Sequence, residues 1–261
     1  MELALTADLG NTRLKLCAWN LADGTVVARQ ALDAHEGLGR SAGAFARQHA
    51  PFRAAALSSV ALREREDEVS AALERACGGL FLLAPDCGLA IETREPARVG
   101  RDRLYAARGA LESGLSRGGG WIVLDAGTAL TVDAVDARDG GRFLGGAIAP
   151  GPALLARALA EHTARLPLVE PAARAPALGR DTESAVRAGI VVGFRGAARE
   201  LALRVAEEAG WPAPRIAITG GARGLLLDPA LFTPPDFAAV HEDEDLVHRG
   251  LLASLRAALA T

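Results

Sequence analysis

Two short stretches of this chain set a carboxylate, a glycine and a hydroxyl at turn spacing. They are Asp8-Leu9-Gly10-Asn11-Thr12-Arg13-Leu14-Lys15 and Asp125-Ala126-Gly127-Thr128-Ala129. These residue types suit phosphate chemistry. A glycine lets backbone N–H groups approach an anion closely. A threonine hydroxyl adds a donor, and a carboxylate can hold a hydrated cation that neutralises phosphate charge. Either stretch alone also suits a tight hairpin, since Gly-Asn is common turn chemistry; their repetition favours the ligand. A third stretch, Val99-Gly100-Arg101-Asp102-Arg103, sets one carboxylate between two guanidinium groups just ahead of a helical pattern. Asp102 falls at or near that helix's N-terminus, where a carboxylate is favoured electrostatically. A plain N-cap fits the position, and so does a functional carboxylate.

The elements around these residues follow from periodicity. An apolar run over 3–7 enters the first turn as a strand, and 14–19 leaves it with alternating polarity. A run beginning at Ile122 enters the second turn, and Ala129 to Asp133 leaves it in the same way. In the first half, 26–31 reads as a third strand. A helix over 37–50 turns Leu38, Ala42, Phe45 and Ala46 inward, and a buried strand follows over 54–60. A helix over 62–76 precedes a short strand at 80–83. The order strand-strand-strand-helix-strand-helix-strand is that of a ribonuclease-H-like unit. Residues 85–99 read as a connection, and a helix runs from about 103 to 113.

Gly118-Gly119-Gly120 reads as the joint, which divides the chain into halves 1–117 and 118–261. The second half then repeats the hairpin and adds a third strand over 142–148. The glycine- and proline-dense Gly145–Pro152 turn can lie against a ligand, a neighbouring subunit or the fold itself. Leu154, Leu155, Ala158 and Leu159 are expected to face inward from a helix over 152–163, with a loop over 165–176. Thr182 is expected to cap a long helix over 183–209. Small residues line that helix, suited to close packing in the core or against a second copy. A strand at 214–219 runs into Gly220-Gly221, which suits adenine or ribose contact. A strand or loop over 234–240 and an amphipathic helix over 245–260 close the chain. Two carboxylate-glycine-hydroxyl turns facing each other across a cleft would grip a nucleoside triphosphate and its metal. That layout resembles the actin, hexokinase and Hsp70 group of ATP-using folds: α/β, with a duplicated ribonuclease-H-like unit.

Composition excludes several classes. Half the residues are hydrophobic and the net charge is −3, with arginines scattered among acidic residues. No basic cluster points to nucleic acid, and no apolar run approaches a membrane span. Cys17, Cys77 and Cys87 lack metal or redox spacing, which fits a reducing cytoplasm, and no signal peptide is read at the start. The five histidines show no metal spacing; His35, His49, His241 and His248 are read as surface residues, and His162 is left open. No Gly-x-Ser-x-Gly, His-Glu-x-x-His or Walker motif is present.

Taken in order, the motifs Asp8–Thr12, Val99–Arg103, Asp125–Ala129, Gly145–Gly151, the 179–189 segment with Thr182, and Thr219-Gly220-Gly221 resemble type III pantothenate kinase. The likeness runs from residue 3 to about 252. It implies phosphorylation of pantothenate by ATP, with Mg²⁺ and a monovalent cation, K⁺ or NH₄⁺. It also implies a homodimer with the substrate site at its interface. Asp8, Leu9, Gly10, Asn11, Thr12, Arg13, Leu14 and Lys15 would form the first phosphate-binding segment, with Mg²⁺ near Asp8, directly or through water. Asp102 would accept the proton. Gly100, Arg101, Asp102, Arg103 and Thr182 would contact pantothenate, with His162-Thr163 reaching the partner subunit's site. Thr128 would touch ATP, and Asp125 would ligate the monovalent cation. Two departures stand out. Thr93 occupies the place where some members carry a site-lining tyrosine. Arg101 replaces a small or apolar residue, and its charge is expected to lower the pKa of Asp102. Rival readings are a kinase for another small hydroxylated or acid substrate, a non-catalytic regulatory relative, and an Hsp70-like or actin-like structural ATPase.

Overall fold

The computed structural model describes residues 2–34, 37–113 and 119–260. The expected boundary at 117/118 and the surface reading of His35 lie outside the described residues. The chain forms two compact units. The first takes the chain as far as Leu89, Glu95 to the end of the third helix, and everything from Asp245 onward. The second takes Ala90–Arg94 and the chain from the seventh strand to Glu244.

In the first unit, β1 (Leu3–Leu9), β2 (Arg13–Asn20) and β3 (Val26–Asp33) form an antiparallel meander. Two helices then carry the chain to parallel strands. α1 (Leu38–His49) leads to β4 (Ala54–Ser59), and α2 (Arg63–Cys77) leads to β5 (Leu80–Leu83). The sheet order is β3-β2-β1-β4-β5. Alternation divides its faces. Leu5, Ala7, Leu9, Leu14, Leu16, Ala55 and Leu57 enter the core with Leu38, Phe45, Val69 and Leu73 of the two helices. α3 (Arg101–Glu112) and α6 (Leu246–Ala260) complete the unit.

The second unit repeats the plan. β7 (Gly120–Ala126), β8 (Ala129–Asp136) and β9 (Arg142–Pro150) form the meander; β10 (Arg215–Thr219) and β11 (Ala239–Glu242) are parallel to β7. Its order, β11-β10-β7-β8-β9, matches the first sheet element for element, with the short strand β6 (Ala90–Ile91) added beside β9. Even the bulge recurs, at Ala18/Trp19 in one copy and Ala134/Val135 in the other. α4 (Pro152–His162) and α5 (Thr182–Glu208) lie between β9 and β10. Val191, Phe194, Ala198 and Ala202 of α5 pack on Leu124, Leu130 and Val132.

Several expectations need correction. The connection 85–99 holds β6, whose two residues show no period of their own because β9 supplies the pairing. On α4, Leu155 and Leu159 pack inward as expected beside buried Pro152 and Ala156, but Leu154 and Ala158 are exposed. The N-cap of α5 is Asp181, not Thr182. Its carboxylate accepts the Ser184 N–H at 2.8 Å while the Ser184 hydroxyl accepts the Asp181 N–H at 3.2 Å. This reciprocal capping box satisfies two terminal N–H groups and leaves Thr182 exposed at the first helical position. His248 is buried, not on the surface. Its Nδ1 lies 2.9 Å from the Thr6 hydroxyl, which also accepts the Trp19 indole N–H at 2.7 Å. Burial and the Lys15 charge push its pKa down to about 3, which keeps the imidazole neutral. The closing helix, given by chain order to the second half, packs in the first unit against α3.

Asp136 at the end of β8 is buried and receives Arg138 and Arg142, each at 2.6 Å, and Arg142 also reaches Glu92 at 3.0 Å. Hydrogen bonds from Arg138 hold the Asp136 carboxyl well below the usual carboxylate range. A carboxylate depressed in this way stabilises fully above its unfolded pKa of about 4, and that stability is lost as pH falls toward the folded value. The urea midpoint is therefore expected to drop between pH 5 and pH 3, and to drop less in Asp136→Asn. An equal drop in both would assign the acid sensitivity to other carboxylates.

Candidate active site

The candidate residues form two groups, one per unit. In the first unit, Leu9 and Leu14 turn into the α1/α2 core and bring only backbone to the turn. Gly10 N–H donates to the Arg13 carbonyl at 2.9 Å and closes the hairpin. Asn11, Thr12 and Arg13 are exposed at its tip, and Arg13 is paired with Asp33 at 3.0 Å. Asp8 faces the other side of the sheet and is buried. Lys15 is its antiparallel partner on β2, and Ser58 its parallel partner on β4. Three polar side chains thus form one row, Lys15-Asp8-Ser58, near the carboxyl ends of β1 and β4. Ligands gather at that end of open α/β sheets.

Asp102 joins this row from α3. It lies in the helix's first turn, and the N-cap is Gly100. Its Oδ1 accepts the Arg103 N–H at 2.8 Å. The carboxylate folds back so far that a Cβ on Gly100 would stand 2.6 Å from Oδ1, so a side chain at position 100 would displace the carboxylate. Burial raises the pKa of Asp102; the charges of Arg103 and Lys15 oppose that rise without cancelling it. The expected lowering of the Asp102 pKa does not occur, because burial outweighs the neighbouring positive charges; Arg101 itself is exposed, and its charge is felt by the Tyr105 hydroxyl. Arg103 is half-buried beside Asp102.

In the second unit, Gly127 N–H donates to the Ala129 carbonyl at 2.9 Å, closing a turn one residue shorter than the first. Asp125 is half-buried with Thr219 as its parallel partner, and Thr128 is exposed at the tip. Two glycines press on this turn. A Cβ on Gly151 would stand 2.2 Å from the Gly127 carbonyl oxygen, and Gly151 N–H donates to the Thr128 carbonyl at 3.0 Å. A Cβ on Gly220, whose φ is +94°, would stand 2.4 Å from Asp125 Oδ1 and 2.5 Å from the Ala126 carbonyl oxygen. Three separate sequence motifs therefore converge on one turn. Thr182 and His162 are exposed at the ends of their helices. Ser58 carries no motif in the sequence; the only hint is a hydroxyl pair ending an apolar strand beside the Asp8 strand.

A duplicated sheet with a carboxylate-glycine turn at the end of each first strand defines the actin-like class of ATP-using folds. Solved structures agree on the fold. The polyphosphate/ATP-glucomannokinase of Arthrobacter sp. strain KM superposes with a TM-score of 0.53 over 100% of both chains at 12% identity. Ta0583, an archaeal actin homologue, gives a TM-score of 0.51 over 99% of this chain and 100% of its own at 14% identity. Sequence narrows the class. The profile of the type III pantothenate kinase family matches residues 4–204. The type III pantothenate kinase of Thermus thermophilus is 40% identical over 204 residues, covering 77% of this chain and 76% of its own. The chain belongs to the type III pantothenate kinase family.

Proposed function

We propose that the protein transfers the γ-phosphoryl group of ATP to the primary hydroxyl of pantothenate. The product is 4′-phosphopantothenate, and the step opens coenzyme A biosynthesis. The observation that carries the reading is Asp102: a desolvated carboxylate beside Lys15 and Arg103, inside the Gly-Arg-Asp-Arg motif. The bond from the γ-phosphorus to its bridging oxygen breaks as the pantothenate oxygen bonds to that phosphorus, and Asp102 takes the hydroxyl proton. In a loose phosphoryl-transfer transition state, positioning and charge neutralisation outweigh base strength. The exposed turn tips at Asn11-Thr12 and at Thr128 contact phosphate oxygens, while the Gly10 and Gly127 N–H groups stay engaged in closing their turns. Lys15 adds charge, Thr128 contacts ATP, and Arg103 pairs with the pantothenate carboxylate through its fork of donors. Gly100, Arg101 and Thr182 complete the pantothenate contacts.

Two cations belong to the same reading, and the donors fit them. Asp8 offers the hard oxygen that Mg²⁺ prefers, with an unpartnered hydroxyl next to it on Ser58. Mg²⁺ there supplies charge neutralisation for the phosphates. The Asp125 carboxylate and the Ala126 carbonyl converge toward Gly220, an oxygen set suited to K⁺ or NH₄⁺. A homodimer is supported by what α5 leaves open. Gly189, Val192, Gly193 and Gly196 are exposed along one stripe, and Ile148, Leu168 and Leu178 of the same unit are 64%, 58% and 71% exposed. Such apolar surface suits a second copy.

The test is phosphorylation of pantothenate by ATP and Mg²⁺ with K⁺ or Na⁺ as the only monovalent cation. Turnover in K⁺ that collapses in Na⁺ is expected, from a particle of dimer mass by light scattering. Equal turnover in both would remove the Asp125 cation site. No phosphorylated product from the folded protein would remove the reading itself.

A further inference from the structure

The hydroxyl of Ser58 is fully buried and has no hydrogen-bond partner. An unpaired buried hydroxyl costs stability, so a native structure that keeps one has a use for it. Its surroundings define that use. Ala55 and Leu57 point into the α1/α2 core, so Ala56 and Ser58 lie on the opposite face with Thr6 and Asp8. The Thr6 hydroxyl is already engaged by Trp19 and His248. Asp8 is the residue directly alongside Ser58 in the parallel register, and it lies at the edge of solvent with 9% exposure against 0% for Ser58. A ligand can therefore meet Asp8 but cannot touch Ser58. The second copy of the fold repeats the pairing: Thr219, 2% exposed, stands alongside Asp125.

We infer that Ser58 is a positioning residue for Asp8. When nucleotide and Mg²⁺ arrive, its hydroxyl donates to the Asp8 carboxylate and fixes which oxygen faces the metal. The free protein holds that donor unspent, and the loaded site satisfies it. This rests on the reading of Asp8 as the anchor for Mg²⁺ and phosphate.

The test is calorimetric titration of the full-length protein with a non-hydrolysable ATP analogue and Mg²⁺, alongside thermal unfolding of the free protein. Ser58→Ala is expected to weaken binding about tenfold, the scale on which residues that orient metal ligands act. Its Tm without ligand should equal or exceed that of the wild type, because an unpaired hydroxyl has been removed. Ser58→Thr, the residue type the second copy uses, should restore binding. In an Asp8→Asn background, Ser58→Ala should cost no more than about twofold, since coupled residues are not additive. Wild-type affinity in Ser58→Ala, with Asp8→Asn weakened, would overturn the role of Ser58 alone. The same tenfold loss in both backgrounds, or a loss that tracks a lowered Tm and resists Ser58→Thr, would also overturn it. Wild-type affinity in Asp8→Asn would overturn the reading of Asp8 and this inference with it.

Discussion

Replacing Asp102 with asparagine is expected to lower kcat by roughly 10²–10⁴, with ATP affinity close to that of the wild type. The substitution keeps size and shape. The asparagine carbonyl oxygen can still accept the Arg103 N–H that Asp102 accepts at 2.8 Å, so the first turn of α3 is retained. What is lost is the proton acceptor. Because the interaction belongs to the transition state, kcat and kcat/KM should fall together. Burial raises the pKa of Asp102 on folding. Two signs follow. A protonated Asp102 accepts no proton, so activity is lost as pH falls through a pKa above the ordinary value of about 4. A carboxyl raised by folding opposes stability above its unfolded pKa, so Asp102→Asn should have an equal or higher Tm at pH 7. Steady-state kinetics across pH and a melting curve check both. Wild-type turnover in this variant would take Asp102 out of the reaction.

The second large effect is structural. α3 and α6 cross at two glycines. A Cβ on Gly250 would stand 2.0 Å from the Tyr105 carbonyl oxygen, and one on Gly109 would stand 2.0 Å from the Leu246 carbonyl oxygen. Both contacts are with backbone, which cannot swing aside as a side chain can. Gly250→Ala must push the helices apart, and overpacking of this kind costs about 3 kcal/mol. For a chain of this length that is a fall in Tm of roughly 6–12 °C. Turnover should fall as well, because α3 carries Asp102 into the row with Lys15. Thermal unfolding and kinetics of Gly250→Ala and Gly109→Ala check this, and a wild-type Tm in both would mean a looser crossing.

The parts of the fold legible in the sequence are those whose signals are local. Period-two alternation and a Gly-Asn or Gly-Thr turn identify the hairpins at Asp8 and Asp125, because side-chain alternation and turn chemistry act within a few residues. The repetition of that hairpin was enough to expect a duplicated unit, and matching sheet orders bear the expectation out. The ordered motifs were likewise enough for the family. Tertiary structure decided what depends on surfaces meeting across long stretches of chain. It buried His248 against Thr6, although an amphipathic helix pattern does not say which partner its inner face meets. It buried Asp102 deeply enough for desolvation to outweigh the charges of Arg103 and Lys15, because burial and charge act through space and not along the chain. It brought Gly151 and Gly220 onto the Asp125 turn. It set Ser58 beside Asp8, since the register of a parallel pair is settled by the helix that joins its strands and by the core that helix covers.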